Sequence, residues 1–482
     1  MMRTPALLGS LALSGLGLIL TTGVEAQTVD RSRPPQLAPP PELRLPPIVQ
    51  RTLPNGMKLL IVEHHELPLA TFNLVVGSGA SQDPAARPGT ADFTAAMLRE
   101  GAGSRSSLDI ADQMAFLGVS LSTSAGWDAS TVFLHTPTAQ LDSALALFAD
   151  VALRPTFPAE DMERMRGRRL TSILQRRDQP PVIADLAYAS FVFGNDHPYG
   201  RPMGGTEAST REVQRAELES YYRTHFRPNN ATLIVVGDVR PDDIEARIAR
   251  LFGSWERAEV PSVTLPEPRG AERTTIYLID KPGATQSSFR LGHLGAPRST
   301  SDYFSLVVLN TVLGGSFTAR LMQNLRETHG YTYSAYSGFA FRRFAGPFVS
   351  QAEVVAAKSD SALIEFMKEL RGIREPVPDD ELLKAKRYLQ LRFPGGFETT
   401  TGIANQLVPL VVYNLPLDYY EGYVRQIEAV TQTDLQRVAA RYINPDRMTI
   451  VVVGDRKQIE PPLRALGIAE LVVRDVTGQP LP

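Results

Sequence analysis

The chain has 482 residues, enough for about two to four domains, and its 43% apolar and 21% charged residues are typical of globular proteins with a buried core. Its 50 basic residues nearly balance its 52 acidic residues, so the formal net charge of −2 favours neither nucleic acid nor an anionic membrane as partner. The absence of cysteine excludes disulfides, thiolate metal sites, iron–sulfur clusters and a cysteine nucleophile.

Residues 1–26 have the pattern of a secretory signal peptide. Arg3 supplies a positive charge, residues 6–20 form an apolar stretch, and Val24-Glu25-Ala26 offers small residues at a cleavage site. The apolar stretch is short for a membrane span, so cleavage is favoured over a retained anchor. No later segment reaches about 18 uninterrupted apolar residues. We therefore expect an exported, periplasmic protein with no stable membrane span after signal removal.

Residues 27–48 are rich in proline and predict an extended leader. Beyond them an internal repeat divides the chain: the string NNATLIVVGDV returns as PDRMTIVVVGD, which places Gly237 and Gly454 217 residues apart, and Phe72 and Phe289 show the same offset. The sequence therefore predicts two homologous domains. They are expected at 49–258 and 274–475, joined by a linker at 259–273 that contains three prolines.

Each half shows the same order of elements: two strands, several helices and a final β-branched strand that ends in Gly-Asp. Strands and helices mix without strict alternation, which favours an α+β fold in which each domain packs an antiparallel-rich sheet against helices. The clearest predicted strands are 58–62, 70–76, 275–279 and 287–294, and the clearest predicted helices are 141–152 and 361–370.

Several strings resemble signatures of the insulinase/pitrilysin family of zinc peptidases, in particular its mitochondrial-processing-peptidase-like members. They are LPNGMKLLIVE, FNLVVGSGAS, PGTADFTAAML, NDHPYGRPMGGT, YYRTHFRPNNATLIVVGD and LRETHGYTYS. Active members carry H-x-x-E-H on a helix, where two His at i and i+4 bind zinc from one face and the Glu acts as general base. A distant Glu supplies the third ligand in those members.

The resemblance implies that the zinc site is degenerate in this chain. Asp92, Ala95 and Ala96 stand where the first His, the catalytic Glu and the second His would be, and Ser172 stands at the third ligand position. A catalytic zinc generally takes three protein ligands, so Asp92 alone is interpreted as a solvated or capping carboxylate. We therefore expect no metal, no cofactor and no catalytic residue in this chain.

Other patterns provide no alternative catalytic site. His64 and His65 are adjacent, and in a strand they would point to opposite faces, which makes them a poor metal chelate. His197, within NDHPYGRP, is typical of a structural turn. The chain has no G-x-S-x-G elbow, no phosphate-binding G-x-x-x-x-G-K-[ST] loop and no G-x-G-x-x-G before a helix.

One signature of the family survives in the second half, in the string LGGSFTARLMQNLRETHGYTYSAYSGF. The resemblance implies that Arg326 and Tyr333, seven residues apart, bind peptide substrate through a guanidinium and a hydroxyl. The alternative is that Arg326 is a surface arginine near a helix end and Tyr333 an ordinary strand aromatic. Gly314 and Gly315 are expected to allow a tight turn or a close backbone approach.

The emptied zinc site and the retained Arg/Tyr pair predict a non-catalytic, substrate-binding subunit of a periplasmic heterodimeric zinc peptidase that acts on unfolded peptides or small proteins. A homologous partner subunit would carry the zinc. The main alternative is a structural or peptide-holding homologue that has no peptidase partner. A hydrolase with an unrecognised site is a third and weaker reading.

Overall fold

The computed structural model describes residues 45–268 and 270–481. The predicted signal peptide and residues 27–44 of the predicted leader lie outside the described residues. Residues 45–48 have no regular secondary structure, and the first strand begins at Val49.

The first half begins with strands and ends with a helix. Its strands are β1 (Val49–Thr52), β2 (Lys58–Glu63), β3 (Leu69–Val76), β4 (Gly101–Ala102), β5 (Arg105–Ser106), β6 (Ser120–Ala125), β7 (Ser130–Pro137) and β8 (Ala231–Gly237). Its α-helices are α1 (Thr90–Met97), α2 (Ser107–Leu117), α3 (Leu141–Leu153), α4 (Ala159–Arg176), α5 (Pro180–Phe193), α6 (Glu207–Glu212), α7 (Arg215–His225) and α8 (Pro241–Phe252).

The second half repeats this order and ends with an additional strand. Its strands are β9 (Thr275–Asp280), β10 (Gln286–Leu294), β11 (Thr332–Phe339), β12 (Pro347–Val355), β13 (Thr449–Gly454) and β14 (Glu470–Arg474). Its α-helices are α9 (Tyr303–Leu313), α10 (Arg320–Met322), α11 (Ser359–Gly372), α12 (Asp379–Arg392), α13 (Thr400–Val412), α14 (Tyr423–Ala429), α15 (Gln432–Tyr442) and α16 (Arg456–Ala465). The sequence patterns did not indicate β14, nor α8 and α16, which follow the Gly-Asp strands.

Each half contributes one large sheet, and the two sheets have corresponding strand orders. In the described residues the first sheet runs β1-β2-β8-β3-β7-β6 and the second β14-β9-β13-β10-β12-β11. Phe72 on β3 pairs with Val235, and Phe289 on β10 pairs with Val452, so the repeated strands share their register. The β2–β8 and β9–β13 pairs are parallel, and the other pairs in the first sheet are antiparallel. The predicted α+β fold with two related, antiparallel-rich halves is confirmed.

The central strands are apolar on both faces, which requires a helical layer on each side. Alternate residues of β2 show this, because Leu59 and Ile61 belong to the core formed with helices of the first half, whereas Leu60 and Val62 point to the opposite, outer face. The helix that covers this outer face is α13 of the second half. In the same way, α5 of the first half covers the outer face of β10 and β13. The two halves thus exchange one helix each.

The exchanged helix α13 is expected to stabilise the first sheet directly. Replacing the buried Leu407 with alanine should lower the free energy of unfolding by about 2–4 kcal/mol, because it leaves a cavity over the outer face of β8. The exposed Asn405 lies on the same helix, and its replacement with alanine should change that free energy by no more than about 0.5 kcal/mol. Denaturant unfolding measures both variants, and equal effects would contradict the assignment of α13 to this core.

The buried His225, the last residue of α7, predicts acid sensitivity. Burial lowers its pKa to about 4, and its ring packs 4.4 Å from that of Tyr221. The unfolded chain therefore binds more protons than the native chain below about pH 6.5, so stability should fall by up to about 3 kcal/mol as the pH drops from 6.5 to 4. Unfolding curves across this pH range should be flatter for His225→Gln. Parallel pH profiles for the wild type and the variant would refute the assignment.

Candidate functional site

The helix that corresponds to the family's zinc helix is α1, and a partly buried carboxylate fixes its start. Asp83 accepts hydrogen bonds from the backbone N–H groups of Gly89 and Ala91, each at 2.7 Å. Burial raises the pKa of Asp83 to about 7, and the two amide donors act in the opposite direction. The helix then packs against β6 and α7. Asp83, and not Asp92, is therefore the capping carboxylate.

The four degenerate positions lie on two neighbouring helices. Asp92 is on α1, and its Oδ2 lies 2.9 Å from Nη1 of Arg169 on α4. Ala95 is buried, Ala96 is half-buried, and Ser172 is exposed one helical turn after Arg169. Asp92 is a partly solvated carboxylate, 33% exposed in the first turn of α1, and its charge is paired with a guanidinium.

Arg169 places a fixed positive charge beside the first ligand position. Its side chain is only 13% exposed, its Nη2 donates to the carbonyl of Gly204 at 3.0 Å, and its guanidinium lies 4.6 Å from the centre of the Phe93 ring. A metal cation at Asp92 would be repelled by the charge of Arg169. The other three positions, Ala95, Ala96 and Ser172, do not supply the His and Glu ligands of the family. Zinc does not fit these residues. Over residues 45–268 and 270–481, no group of three or more His, Asp or Glu side chains is arranged to hold a metal.

The remaining sequence candidates have structural roles. His65 lies between two carboxylates, with Nδ1 2.7 Å from Oδ1 of Asp238 and Nε2 3.1 Å from Oε2 of Glu63, and the hydrogen bond to Asp238 raises its pKa. His197 is buried and its Nδ1 accepts from the backbone N–H of Tyr199 at 3.0 Å, so it caps a turn as predicted. Burial lowers the pKa of His197.

The structure brings Arg326 and Tyr333 together. Arg326 lies in a π-helix, Gln323–Thr328, that continues α10, and its guanidinium is 4.7 Å from the centre of the Tyr333 ring. Gly330, with φ of +64°, adopts the left-handed conformation that turns the chain back into β11. The seven-residue spacing between Arg326 and Tyr333 therefore corresponds to the end of a π-helical turn followed by a reversal of the chain direction at Gly330. Turns of this kind are frequent at functional sites.

A β-bulge explains why Tyr333 points to solvent. In the pairing of β11 with β12, Thr332 is opposite Val354 and Ala335 is opposite Ala352, so β11 has one extra residue between these pairs. Such a bulge redirects side chains. Tyr333 is 81% exposed and Tyr336 is 42% exposed, although they are three positions apart and in a regular strand would point to opposite faces.

Phe317 is a third member of this surface, which sequence reasoning did not single out. Its ring, which is 55% exposed, lies 4.9 Å from the guanidinium of Arg326, so that Arg326 contacts two aromatic rings. We call Phe317, Arg326 and Tyr333 the aromatic–arginine cluster. Nε of Arg326 also lies 3.2 Å from Oε1 of Glu327. Only the position of Phe317 inside the LGGSFTAR string could have indicated its role, since no spacing rule applies to it.

Gly314 and Gly315 position this cluster without contributing a side chain. A Cβ on Gly314 would collide with the backbone N and Oγ of Ser337 on β11, and a Cβ on Gly315 would lie 2.7 Å from Nδ2 of Asn310. The backbone N–H of Ser337 donates to the carbonyl of Gly314 at 3.1 Å. The expected close backbone approach is therefore what the structure shows.

Comparisons with known proteins match this sequence and this fold. The profile described as Insulinase (Peptidase family M16) matches residues 58–203, and the profile described as Peptidase M16 inactive domain matches residues 212–389. The crystal structure of a peptidase M16 inactive domain from Pseudomonas fluorescens is similar, with a TM-score of 0.79 and 30% identity, over 84% of this chain and 98% of that chain.

Curated relatives have similar coverage. An uncharacterized zinc protease of Mycobacterium tuberculosis is 28% identical over 428 residues, which span 86% of this chain and 95% of the relative. A protein of Helicobacter pylori described as a non-peptidase homolog is 22% identical, over 84% of this chain and 94% of the relative.

The chain belongs to the insulinase family, peptidase family M16. Within that family it is a peptidase-like chain whose second half matches the profile of the inactive domain. Across the part of the chain that the structure describes, none of the helices has both the length and the hydrophobicity to cross a membrane.

Proposed function

We propose that this chain is the non-catalytic, substrate-binding subunit of a periplasmic heterodimeric zinc peptidase that acts on unfolded peptides or small proteins. Zinc and the catalytic base belong to a homologous partner subunit. The aromatic–arginine cluster is the observation that carries this proposal. The periplasmic location rests on the signal-peptide pattern of residues 1–26.

The cluster has the properties of a surface that binds the backbone of a peptide. Two exposed rings hold the Arg326 guanidinium, whose side chain is 28% exposed, and this contact restricts the orientation of its N–H donors. A guanidinium held in this way donates hydrogen bonds to peptide carbonyl groups in a fixed geometry. The exposed Tyr333 hydroxyl provides a second donor. Tyrosine and arginine are also the residues that carry most binding energy at interfaces.

The need for a partner follows from the first half. Asp92 is paired with Arg169, and Ala95 provides no base in place of the family's catalytic Glu. Losing the general base alone typically reduces the rate of such a reaction by about 10²–10⁴-fold. A substrate surface in a chain without a reaction centre contributes to hydrolysis when a second chain supplies that centre.

The first sheet offers an edge at which an extended peptide can add as a strand. The strand at this edge is β6, which lies next to α1. One of its backbone carbonyls, that of Leu121, already accepts a hydrogen bond from Nη1 of Arg99 at 3.0 Å. The outer edge of β11 is more closed, because Ser337 bonds to Gly314 and Asn310. Of these two edges, β6 is the better acceptor of a substrate strand.

A structural or peptide-holding homologue without a peptidase partner is the second candidate. The Helicobacter pylori relative, described as a non-peptidase homolog, favours it. In that case the cluster would have no effect on hydrolysis by any associated protein.

The test is to isolate the tagged mature protein from its native periplasm and to assay the eluate for chelator-sensitive peptidase activity. We expect a homologous H-x-x-E-H chain to co-elute with activity that the isolated chain lacks. Recovery of the chain alone and inactive, or with an unrelated assembly, would replace the peptidase-subunit proposal with the structural one.

A further inference from the structure

The second half contains a pocket whose lining includes none of the residues of the aromatic–arginine cluster. It is an open pocket of about 780 Å³ formed around the C-terminal part of α13 and the 3-10 helices Phe393–Phe397 and Tyr419–Gly422. Its lining is rich in aromatic side chains and contains no Asp or Glu. The aromatic residues are Tyr303, Phe341, Phe393, Tyr413, Tyr419, Tyr420 and Tyr423.

Two arginines line the pocket: Arg392, which is exposed, and Arg298, which is only 7% exposed. Its Nη2 donates to the hydroxyl of Tyr419 at 2.7 Å, and its guanidinium lies 3.6 Å from the centre of the Tyr303 ring. Among the described residues no carboxylate lies within 4 Å of it. Arg290 is also buried in the second half, but unlike Arg298 it has carboxylate partners: Asp185 at 2.6 Å and Glu353 at 3.2 Å.

A buried guanidinium without a counter-ion is costly, because it has left water and gained little in return. The cation–π contacts recover part of this cost. One of the five N–H donors of Arg298 is used by Tyr419, and an anion in the pocket would accept from the others.

Two tyrosine hydroxyls of the pocket walls are already hydrogen-bonded within the protein. The hydroxyls of Tyr413 and Tyr420 donate to backbone carbonyls, that of Phe341 at 3.2 Å and that of Gln406 at 2.8 Å. Their rings, and not their polar ends, are therefore available to a ligand. Burial raises the pKa of Tyr419 and of Tyr413 to about 12, so these phenols are neutral at physiological pH and add no negative charge beside Arg298.

We propose that this pocket binds a carboxylate joined to an apolar or aromatic group, with the carboxylate on Arg298 and the apolar group against the aromatic rings. Such a carboxylate comes either from the C-terminal residue of a peptide or from a free organic acid. The proposal does not depend on the proposed peptidase role, since it uses different residues and a binding measurement.

The experiment titrates the full mature protein by calorimetry with three probes: 3-phenylpropionate, an N-acetylated peptide that ends in phenylalanine with a free carboxylate, and the C-terminal amide of that peptide. We expect at least one carboxylate to bind about tenfold or more tightly than the amide, as a charge-assisted hydrogen bond predicts. Binding of both acids identifies a peptide C-terminus as a source, and binding of phenylpropionate alone identifies a free acid. If neither acid binds, or if the amide binds equally well, the proposal is wrong.

A blocking variant locates the binding site without changing Arg298. A Cβ on Gly395 would have open space, since its nearest neighbour is Oε1 of Glu398 at 4.0 Å, so Gly395→Leu should fold and fill the pocket. Gly167→Leu is the matched control, because its Cβ also meets nothing within 4 Å and lies on α4. We expect carboxylate binding to be lost in the first variant and kept in the second. Unchanged binding in a folded Gly395→Leu protein would overturn the proposal, and the acid–amide comparison needs no variant.

Discussion

Replacing Arg326 with alanine should lower kcat/KM of the proposed two-subunit peptidase about 10- to 100-fold. The guanidinium contacts the rings of Phe317 and Tyr333, so its loss removes both cation–π contacts together with the proposed charge-assisted hydrogen bonds to the peptide backbone. Tyr333→Phe removes only the hydroxyl and should have a smaller effect in the same direction. The measurement is steady-state hydrolysis of an unstructured peptide by the isolated complex.

Two controls separate substrate binding from folding. Arg326→Lys keeps the charge but not the planar donor, and should give an intermediate rate. Arg447→Ala removes an exposed arginine outside the cluster and should leave the rate unchanged. The thermal midpoint of Arg326→Ala should match that of Arg447→Ala. A wild-type rate for Arg326→Ala would remove the cluster from the substrate site.

Rebuilding the family's zinc residues should fail while Arg169 is present. The variant Asp92→His, Ala95→Glu, Ala96→His and Ser172→Glu restores the three ligands and the base, but the Arg169 guanidinium still lies beside position 92. We expect about one zinc per chain only when Arg169→Ala is added, because a fixed cation opposes a dication at that distance. Metal analysis after dialysis measures this occupancy.

Arg168 provides the matched control for this experiment. It lies on the same helix, is 56% exposed and pairs with Glu100 instead of Asp92. Adding Arg168→Ala to the rebuilt variant should not recover zinc. Equal zinc content in the rebuilt variant with Arg169 present or absent would show that Arg169 does not oppose zinc. The natural residues at positions 92, 95, 96 and 172 alone would then account for the loss of the site.

The sequence was sufficient for the elements whose pattern is local. The predicted strands at 58–62 and 275–279 correspond to β2 and β9, and the predicted helices at 141–152 and 361–370 lie within α3 and α11. The repeat also indicated that the two halves share one fold, which the corresponding strand orders confirm. The domain boundaries remain predictions, although residues 259–268 have no regular secondary structure.

The rest depended on contacts between distant residues. The apolar run of β8 indicates that both faces are buried, but not that α13, more than 160 residues later, covers one of them. The bulge that exposes Tyr333 depends on the register with β12, and Arg169 has no local motif that links it to Asp92. The roles of Arg326 and Tyr333 in substrate binding remain predictions, and the structure adds that the two side chains are in contact.

The exchange of α5 and α13 gives the chain the organisation of a domain-swapped dimer whose two protomers are joined covalently. In such a dimer each protomer completes its fold with an identical element from the other. Either half alone would leave one face of its sheet uncovered. It follows that a protease cut within 259–273 would leave the two fragments associated, because buried apolar contacts and not the peptide bond hold them together.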